Sequence, residues 1–273
     1  MKTIANALLC VFALLICAAA APPFHQITGT WQIEQSSRPE RQMRLSFDNE
    51  DNNNVMDYRP AGVDGPSGPA NFSLQREAGT FRFTGMLGGG NGSGSFTFTP
   101  SDAFAAGLAA RGQQFEDERG LLTAACIDLT LAYVDSISRA GYPHLTFDHL
   151  VAFRALRVTP DSIAGLRNLF GDLRADDVIS ATALHVNAAY VNELRTFGIG
   201  DITLERAVTF KALHITKDYV SELARMGYGN LKPDQIVSFK AMHIDAAYLQ
   251  HLAAHGFTHL TAEQVIQMKA AGL

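Results

Sequence analysis

The chain has 273 residues, of which 47% are hydrophobic and 18% charged, and its formal net charge at pH 7 is −5. This length fits one large domain or two small ones, and the apolar content is sufficient for a hydrophobic core. The negative charge is mild, and charged residues are not segregated along the chain. The composition therefore argues against nucleic acid or an anionic membrane surface as the main partner.

The first twenty residues have the pattern of an export signal. Lys2 supplies a positive start, an apolar run covers residues 8–17, and Ala18, Ala19 and Ala20 form an A-x-A cleavage site. The run is shorter than the roughly 20 residues that cross a bilayer. We expect cleavage before Ala21 and a secreted or periplasmic protein. The alternative is an uncleaved membrane anchor through residues 8–21.

The mature chain retains a single cysteine. Cys10 and Cys17 belong to the predicted leader, so Cys126 remains alone and no internal disulfide can form. Cys126 aligns with alanines of the repeats described below. The pattern predicts a small buried thiol rather than a reactive one, because the sequence places no histidine or helix N-terminus beside it.

Residues 21–100 have the pattern of a small antiparallel β module. Apolar and polar residues alternate in short runs bounded by turn residues, as in strands with one buried face. We expect five or six strands, a flexible hairpin loop over residues 88–94, and a mobile connection over residues 48–69. The apolar face needs a cover, and the helices predicted next are the nearest candidate. The strand runs cover residues 31–34, 43–47, 72–74, 81–83 and 96–98.

Two segments farther along the chain are copies of one pattern. Residues 187–215 and 216–244 align so that Tyr190 matches Tyr219 and His214 matches His243, with a period of 29 residues. A fixed period of roughly 20–50 residues is the mark of a repeat array. Extending the alignment gives six units that fill residues 101–273. The units are 101–129, 130–158, 159–186, 187–215, 216–244 and 245–273.

Each unit has the pattern of a helical hairpin. An aromatic residue stands at the fourth position of most units, and an aliphatic residue follows four positions later on the same helix face. A glycine then ends the first helix, and a Thr or Lys usually begins the second. Such short helices are marginal alone and need neighbours. The predicted fold class is therefore α+β: a small antiparallel β module followed by an α-solenoid of six helical-hairpin repeats.

Two units depart from the pattern. The third, residues 159–186, has Ser162 in place of the aromatic residue and is one residue short. This departure predicts a local kink or an altered stacking angle. The first unit, residues 101–129, is degenerate, as expected for a capping repeat beside the β module.

One column of the repeat alignment is a candidate binding surface. Two interpretations stay open for its histidines: they stabilise helix C-termini, or they form a ligand-facing or pH-responsive ridge. Stacked hairpins lie about 9–10 Å apart and Zn–N bonds measure about 2.0–2.1 Å, so successive histidines cannot share one zinc ion. Lys211 and Lys240 recur nearby as a weak basic stripe, for which a solvated face is the default interpretation. The column contains Asp128, Arg157, His185, His214, His243 and Gly272.

Other recurring residues have structural explanations. The tyrosines at the fourth position of the units are interpreted as core residues, with a binding platform as the alternative. His251 and His255 are spaced like two metal ligands on one helix face, but no acidic or cysteine partner accompanies them. No G-x-S-x-G, H-E-x-x-H or phosphate-loop string occurs. The sequence therefore predicts no catalytic, cofactor-binding or metal-binding residues.

The repeats resemble those of a group of secreted bacterial proteins. The resemblance rests on Tyr-Val-x-Glu-Leu at residues 219–223, Gly-Tyr at 227–228 and Lys-Ala-Leu-His-Ile at 211–215. Similar copies trail some membrane metallopeptidases of the BlaR-type antirepressor class. The strands with Gly-Thr-Phe-Arg-Phe at 79–83 and Gly-Ser-Phe-Thr-Phe-Thr-Pro at 94–100 are similar to the β module that often precedes such repeats. The resemblance implies the two-part architecture and no protease activity, since the zinc-binding string is absent.

These features predict an exported, non-catalytic binding or scaffold protein that recognises a protein or peptide partner. Repeat arrays offer extended concave surfaces and act by recognition. One alternative is a sensory or regulatory ectodomain that responds to a ligand or to pH through His185, His214 and His243. Another is a carbohydrate binder or an enzyme that uses the β module. No cofactor and no nucleic-acid partner is expected.

The leader provides a direct test of the predicted destination. Expression of the full chain in a bacterium with the general secretion machinery should yield a mature protein that begins at Ala21. Intact-mass spectrometry of the soluble extracellular or periplasmic fraction measures the cleavage point. Recovery of the uncleaved chain in the membrane fraction would instead support the anchor.

Overall fold

The computed structural model describes residues 24–34, 43–47, 54–114, 117–199 and 202–272. Within these ranges six β-strands precede twelve α-helices, which confirms the α+β fold class. The predictions for the leader lie outside the described residues. The strands are β1 (Ile27–Ile33), β2 (Met43–Phe47), β3 (Asn54–Met56), β4 (Gly68–Arg76), β5 (Gly79–Gly88) and β6 (Asn91–Pro100).

The strands form one antiparallel sheet in the order β3-β2-β1-β6-β5-β4. The alternation seen in the sequence puts Trp31, Leu45, Phe83 and Phe96 on a buried face, each at most 2% exposed. Residues between them along the strands are largely exposed. The sheet therefore has a single apolar face, as its period-two pattern predicts.

Glycines on β6 make room for the single tryptophan. Trp31 on β1 donates a hydrogen bond from its indole nitrogen to the Thr84 carbonyl oxygen on β5, at 3.1 Å, although β6 lies between these strands. Gly94 pairs with Trp31 in the β1–β6 register, and a Cβ at Gly92 would lie 2.7 Å from the indole ring. A larger residue at Gly92 would collide with the indole, and one at Gly94 would collide with the backbone of β5.

Two expectations for the β module are wrong in detail. The glycine-rich residues 88–94 do not form a flexible loop: β5 runs to Gly88, β6 starts at Asn91, and only two residues turn between them. Gly89 and Gly90 have φ of 60° and 86°, as a type I′ hairpin turn requires. The expected mobile connection over residues 48–69 also contains β3 and the start of β4, because β3 pairs with the edge of β2.

The helices begin at a nearly constant interval along the chain. The first helices of successive units begin 29, 29, 28, 29 and 29 residues apart, and the first residue of each unit is their N-cap. Each cap side chain accepts a hydrogen bond from the backbone N–H three residues later. The helices are α1 (Asp102–Ala109), α2 (Glu118–Cys126), α3 (Leu131–Arg139), α4 (Phe147–Ala155), α5 (Pro160–Phe170), α6 (Ala175–Ala183), α7 (Ala188–Arg195), α8 (Leu204–Ala212), α9 (Lys217–Leu223), α10 (Pro233–Ala241), α11 (Ala246–Ala254) and α12 (Ala262–Ala270).

The glycine column ends the first helix of five units, as predicted. These residues have φ between 76° and 100°, in the left-handed region that glycine adopts without a steric cost. In the fifth unit the helix ends in a π-helical turn, Ala224–Tyr228, that contains the glycine. The column consists of Gly112, Gly141, Gly198, Gly227 and Gly256.

The sheet and the helices share one hydrophobic core. Helix α2 contacts β3, β5 and β6, so the first unit covers the apolar face of the sheet as expected. Consecutive second helices contact one another in the order α4, α6, α8, α10 and α12. Polar contacts strengthen the junction: the Leu131 backbone N–H donates to the Glu77 carboxylate at 2.8 Å.

The third unit differs locally from its neighbours. Its first helix, α5, has 11 residues, more than the first helix of any other described unit. Ser162, which replaces the aromatic residue, forms a reciprocal capping box with Thr159, in which each side chain accepts from the other backbone N–H. The predicted kink or change of stacking angle in this unit stays a prediction.

No single described helix combines the length and apolar character of a membrane span. Helices α2 and α3 pass that test only as a pair, and they are bent by 81° at the break between them.

Substitution of Gly94 tests the close approach of β6 and β5. Gly94→Ala should lower the free energy of unfolding by about 1–3 kcal/mol, because the added Cβ would overlap the Thr84 carbonyl oxygen. Gly68→Ala is the matched control, since no atom lies within 4 Å of a Cβ there. Urea denaturation followed by Trp31 fluorescence measures both variants. Equal stability of the two would contradict the packing described here.

Candidate functional site

The recurring tyrosines and cations form pairs inside the units. The nitrogen of Lys211 lies 4.3 Å from the centroid of the Tyr190 ring, and Lys240 lies 4.5 Å from that of Tyr219. Lys269 and Tyr248 form the same pair at 4.1 Å, and Arg154 lies 5.4 Å from the Tyr133 ring centroid. In every pair the cation follows the tyrosine by 21 residues. The basic stripe is thus half-buried against aromatic faces, an arrangement that favours a cation.

Two tyrosine hydroxyls form hydrogen bonds from the first helix of a unit to the last residue of the same unit. Tyr133 donates to the Val158 carbonyl oxygen at 2.9 Å, and Tyr219 donates to that of Ile244 at 2.7 Å. The equivalent hydroxyl of Tyr190 is buried and has no hydrogen-bond partner among the described residues. Burial raises the pKa of Tyr133 and Tyr190 to about 12 and raises the pKa of Tyr219 as well. These tyrosines therefore stay neutral at physiological pH, as core residues do.

The histidine column occupies a defined backbone position. After α8 ends at Ala212, the His214 N–H donates to the Lys211 carbonyl oxygen at 3.1 Å, and the Ile215 N–H donates to that of Phe210 at 2.9 Å. These two bonds make a Schellman motif, which needs a left-handed residue at its C′ position. The column members have positive φ: Asp128 55°, Arg157 57°, His185 55°, His214 51°, His243 54° and Gly272 83°.

The three histidines are exposed at the ends of helices that contact one another. His185, His214 and His243 each stand two residues beyond the last residue of α6, α8 and α10. These helices pack consecutively, and packed helix axes lie about 8–10 Å apart. We call these residues with Lys211 and Lys240 the C-terminal ridge. The sequence could have identified the backbone role, since Gly272 and Asp128 share the column and both residue types tolerate positive φ.

Metal binding finds no support among the described residues. They contain no group of three or more His, Cys, Asp and Glu side chains placed to hold an ion. The rings of His251 and His255 lie 4.3 Å apart, and the His255 ring nitrogen Nδ1 is 2.9 Å from the His251 carbonyl oxygen. This pair is therefore bonded to its own helix end.

An arginine cleft lies where the sheet meets the first two units. It has a volume of about 560 Å³, and its wall includes Arg76 from β4 together with Arg154 and Arg157 from the second unit. No sequence pattern indicated this site, because residues 76 and 154 meet only through the packing of α2 on the sheet. The repeat alignment had identified Arg157, but only as a residue in the same column as the histidines. The other lining residues are Val55, Asp57, Cys126, Ile127, Asp128 and Ala155.

Cys126 is a buried thiol, as predicted. Its side chain is 5% exposed, and burial raises its pKa to about 12. Arg76 lowers this pKa, but the effect is smaller than that of burial. The thiol is consequently protonated at neutral pH and is a poor nucleophile.

Comparison with known proteins adds no further constraint. No protein-family model matches the chain, and no curated protein shows significant similarity to it.

The tyrosine hydroxyls offer a matched pair of substitutions. Tyr219→Phe should lower the free energy of unfolding by about 0.5–1.5 kcal/mol, because it removes the bond to Ile244 and leaves that carbonyl unpaired. Tyr190→Phe removes a buried hydroxyl that has no partner among the described residues, and it should be neutral or stabilising. Thermal and urea unfolding of both variants measure the difference. A larger loss for Tyr190→Phe would contradict the assigned bonding.

Proposed function

We propose that this chain is an exported, non-catalytic binding protein whose helical hairpins stack as an α-solenoid and recognise a protein or peptide partner. The support for stacking is repetition in three dimensions. The second helices contact their counterparts in the next unit, and the tyrosine–cation pair and the Schellman motif recur from unit to unit. Arrays of this kind present extended surfaces, on which equivalent side chains repeat at the spacing of the units.

The partner binds along the C-terminal ridge. The observation that carries this proposal is that an exposed histidine occupies the same left-handed position after the second helix of three successive units. These residues are His185, His214 and His243. The backbone does not require histidine there: a left-handed conformation costs a non-glycine residue about 1–2 kcal/mol, and glycine meets it at Gly272. Nor does packing require it, because the side chains are exposed. The recurrence of one exposed side chain at this position therefore favours a role on the surface.

The ridge favours an acidic, extended segment. Lys211 and Lys240 add positive charge beside the histidines, whose ring N–H groups donate hydrogen bonds to carboxylate oxygens. A peptide in the polyproline II conformation advances about 3.1 Å per residue with three residues per turn, so every third side chain points to the same face and meets the next unit about 9–10 Å away. Acidic side chains at that spacing would each meet one unit of the ridge.

A competing interpretation gives the histidines a purely structural role. A protonated histidine at a helix C-terminus interacts favourably with the helix dipole, by about 0.3–1 kcal/mol at an exposed position. This role predicts a loss of stability on substitution and no effect on binding. The substituted residue must therefore remove the imidazole and still tolerate the left-handed backbone, so that an effect on binding is distinguished from an effect on stability.

Asparagine is the substituent that separates them. The triple variant His185→Asn, His214→Asn and His243→Asn removes the imidazoles but keeps a residue type that tolerates positive φ. We expect it to bind a 12-residue peptide with Glu at every third position about tenfold more weakly than the wild type, since each exposed charge pair contributes about 0.2–1 kcal/mol. Fluorescence anisotropy measures the affinity of both proteins for the peptide.

The controls identify charge and position as the cause. The same peptide with Gln in place of Glu should bind neither protein. The variant His251→Asn with His255→Asn removes two exposed histidines outside the ridge and should bind as the wild type does. Equal affinity of the ridge variant and the wild type would exclude the ridge as the binding surface.

A further inference from the structure

The arginine cleft is more positive than the protein around it. Three guanidinium groups, Arg76, Arg154 and Arg157, face two carboxylates, Asp57 and Asp128, which leaves one excess positive charge in a chain whose net charge is −5. The cleft lies between β4, the residues after β3, and the ends of α2 and α4. Its volume of about 560 Å³ falls within the range of about 300–1,000 Å³ of small-molecule sites.

Asp128 holds two of the arginines in place. Its carboxylate lies 3.0 Å from Arg76 and 3.4 Å from Arg154, and its carbonyl oxygen accepts a bond from Arg154 Nε at 2.9 Å. Its own position is fixed by the Schellman motif at the end of α2, where it has φ of 55°. The two guanidinium groups are thus placed by the backbone of the first unit before any ligand arrives.

The arginines retain unused donors. Each guanidinium has five N–H donors, and acceptors among the described residues engage at most two of them in each of the three arginines. Arg76 Nε is buried and has no acceptor among the described residues. Arg157 is 68% exposed at the mouth, where it bonds Asp57 at 2.8 Å. A ligand that brings oxygen atoms would supply acceptors to the unused donors that line the cleft.

We propose that this cleft is a binding site for a small oxyanion ligand, one that presents a carboxylate or phosphate group to Arg76, Arg154 and Arg157. The planar fork of arginine matches both groups through paired N–H···O bonds. The excess positive charge disfavours a cation, and the polar wall disfavours an apolar ligand. The site is separate from the C-terminal ridge, which begins one unit farther along the chain at His185, and it does not depend on the function proposed for that ridge.

Calorimetric titration of the mature chain tests the site with defined probes. Inorganic phosphate and citrate are titrated separately at constant ionic strength of about 0.15 M, where long-range attraction is largely screened. We expect saturable binding of one equivalent of at least one probe. Binding of phosphate alone indicates a phosphorylated ligand, binding of citrate alone a carboxylate ligand, and binding of both the shared oxyanion chemistry.

Three variants identify the residues responsible. Arg157→Asn removes an exposed guanidinium and keeps a residue that tolerates positive φ, so the fold should be preserved. Arg76→Lys retains the charge that pairs with Asp128 but removes the fork. Each should weaken binding about tenfold or more. Arg82→Gln removes one exposed arginine on the outer face of the sheet and should leave binding unchanged.

Two results would overturn the assignment. One is the absence of saturable binding of either probe up to about 10 mM in the wild type. The other is equal weakening by Arg82→Gln and Arg157→Asn, which indicates non-specific attraction. The ridge variant with three asparagines should bind the probes as the wild type does, so failure of this site and failure of the ridge are told apart.

Discussion

Short helices that are marginal alone impose the main constraint on this structure. The described helices have seven to eleven residues, below the roughly 12–15 residues at which isolated helices become stable in water. Each therefore depends on burial against its neighbours, and the buried aromatic residues Phe153, Phe210 and Phe239 recur on the second helices for this reason. The constraint explains why the units repeat so closely: a helix of altered length or register would lose contact with the helices on either side.

The second helices of the first five units all end in the same turn. A Schellman motif satisfies the last carbonyls of the helix and brings the residue after the turn against the helix, as Ile215 and Phe210 show through their 2.9 Å backbone bond. Both are buried. The intervening residue must adopt positive φ and faces solvent, so it carries no packing role. Each of these turns therefore has one position at which packing does not determine the side chain, and a residue with a functional role fits there.

The β module and the first unit each bury an apolar surface of the other. The sheet has an apolar face that needs a cover, and the first helical unit has no helical unit before it among the described residues. Helix α2 satisfies both needs by packing on β3, β5 and β6. The junction also creates the arginine cleft, because Asp128 at the end of α2 meets Arg76 from the sheet and Arg154 from the next unit. The cleft thus arises at the boundary between two architectures rather than within either.

The sequence alone determined the local features. The 29-residue period, the glycine stops and the Thr or Lys at the start of the second helices located the helices, because capping and left-handed turns depend on residues close in the chain. Alternation located the strands for the same reason. The ridge residues His185, His214 and His243 were named from the alignment, although their common left-handed backbone was not recognised.

Tertiary structure decided what distant residues do together. The sequence predicted a flexible loop at a place where the structure has a strand. The glycines there, such as Gly94, let Trp31 pack across β6, so they serve packing and not mobility. The pairing of Lys211 with Tyr190 depends on how two helices of a unit meet, and the cluster of Arg76 with Asp128 depends on the sheet docking against α2. Neither distance is encoded in a spacing along the chain. Local backbone chemistry is therefore readable from sequence, whereas side chains from separate elements converge only once the core has fixed their positions.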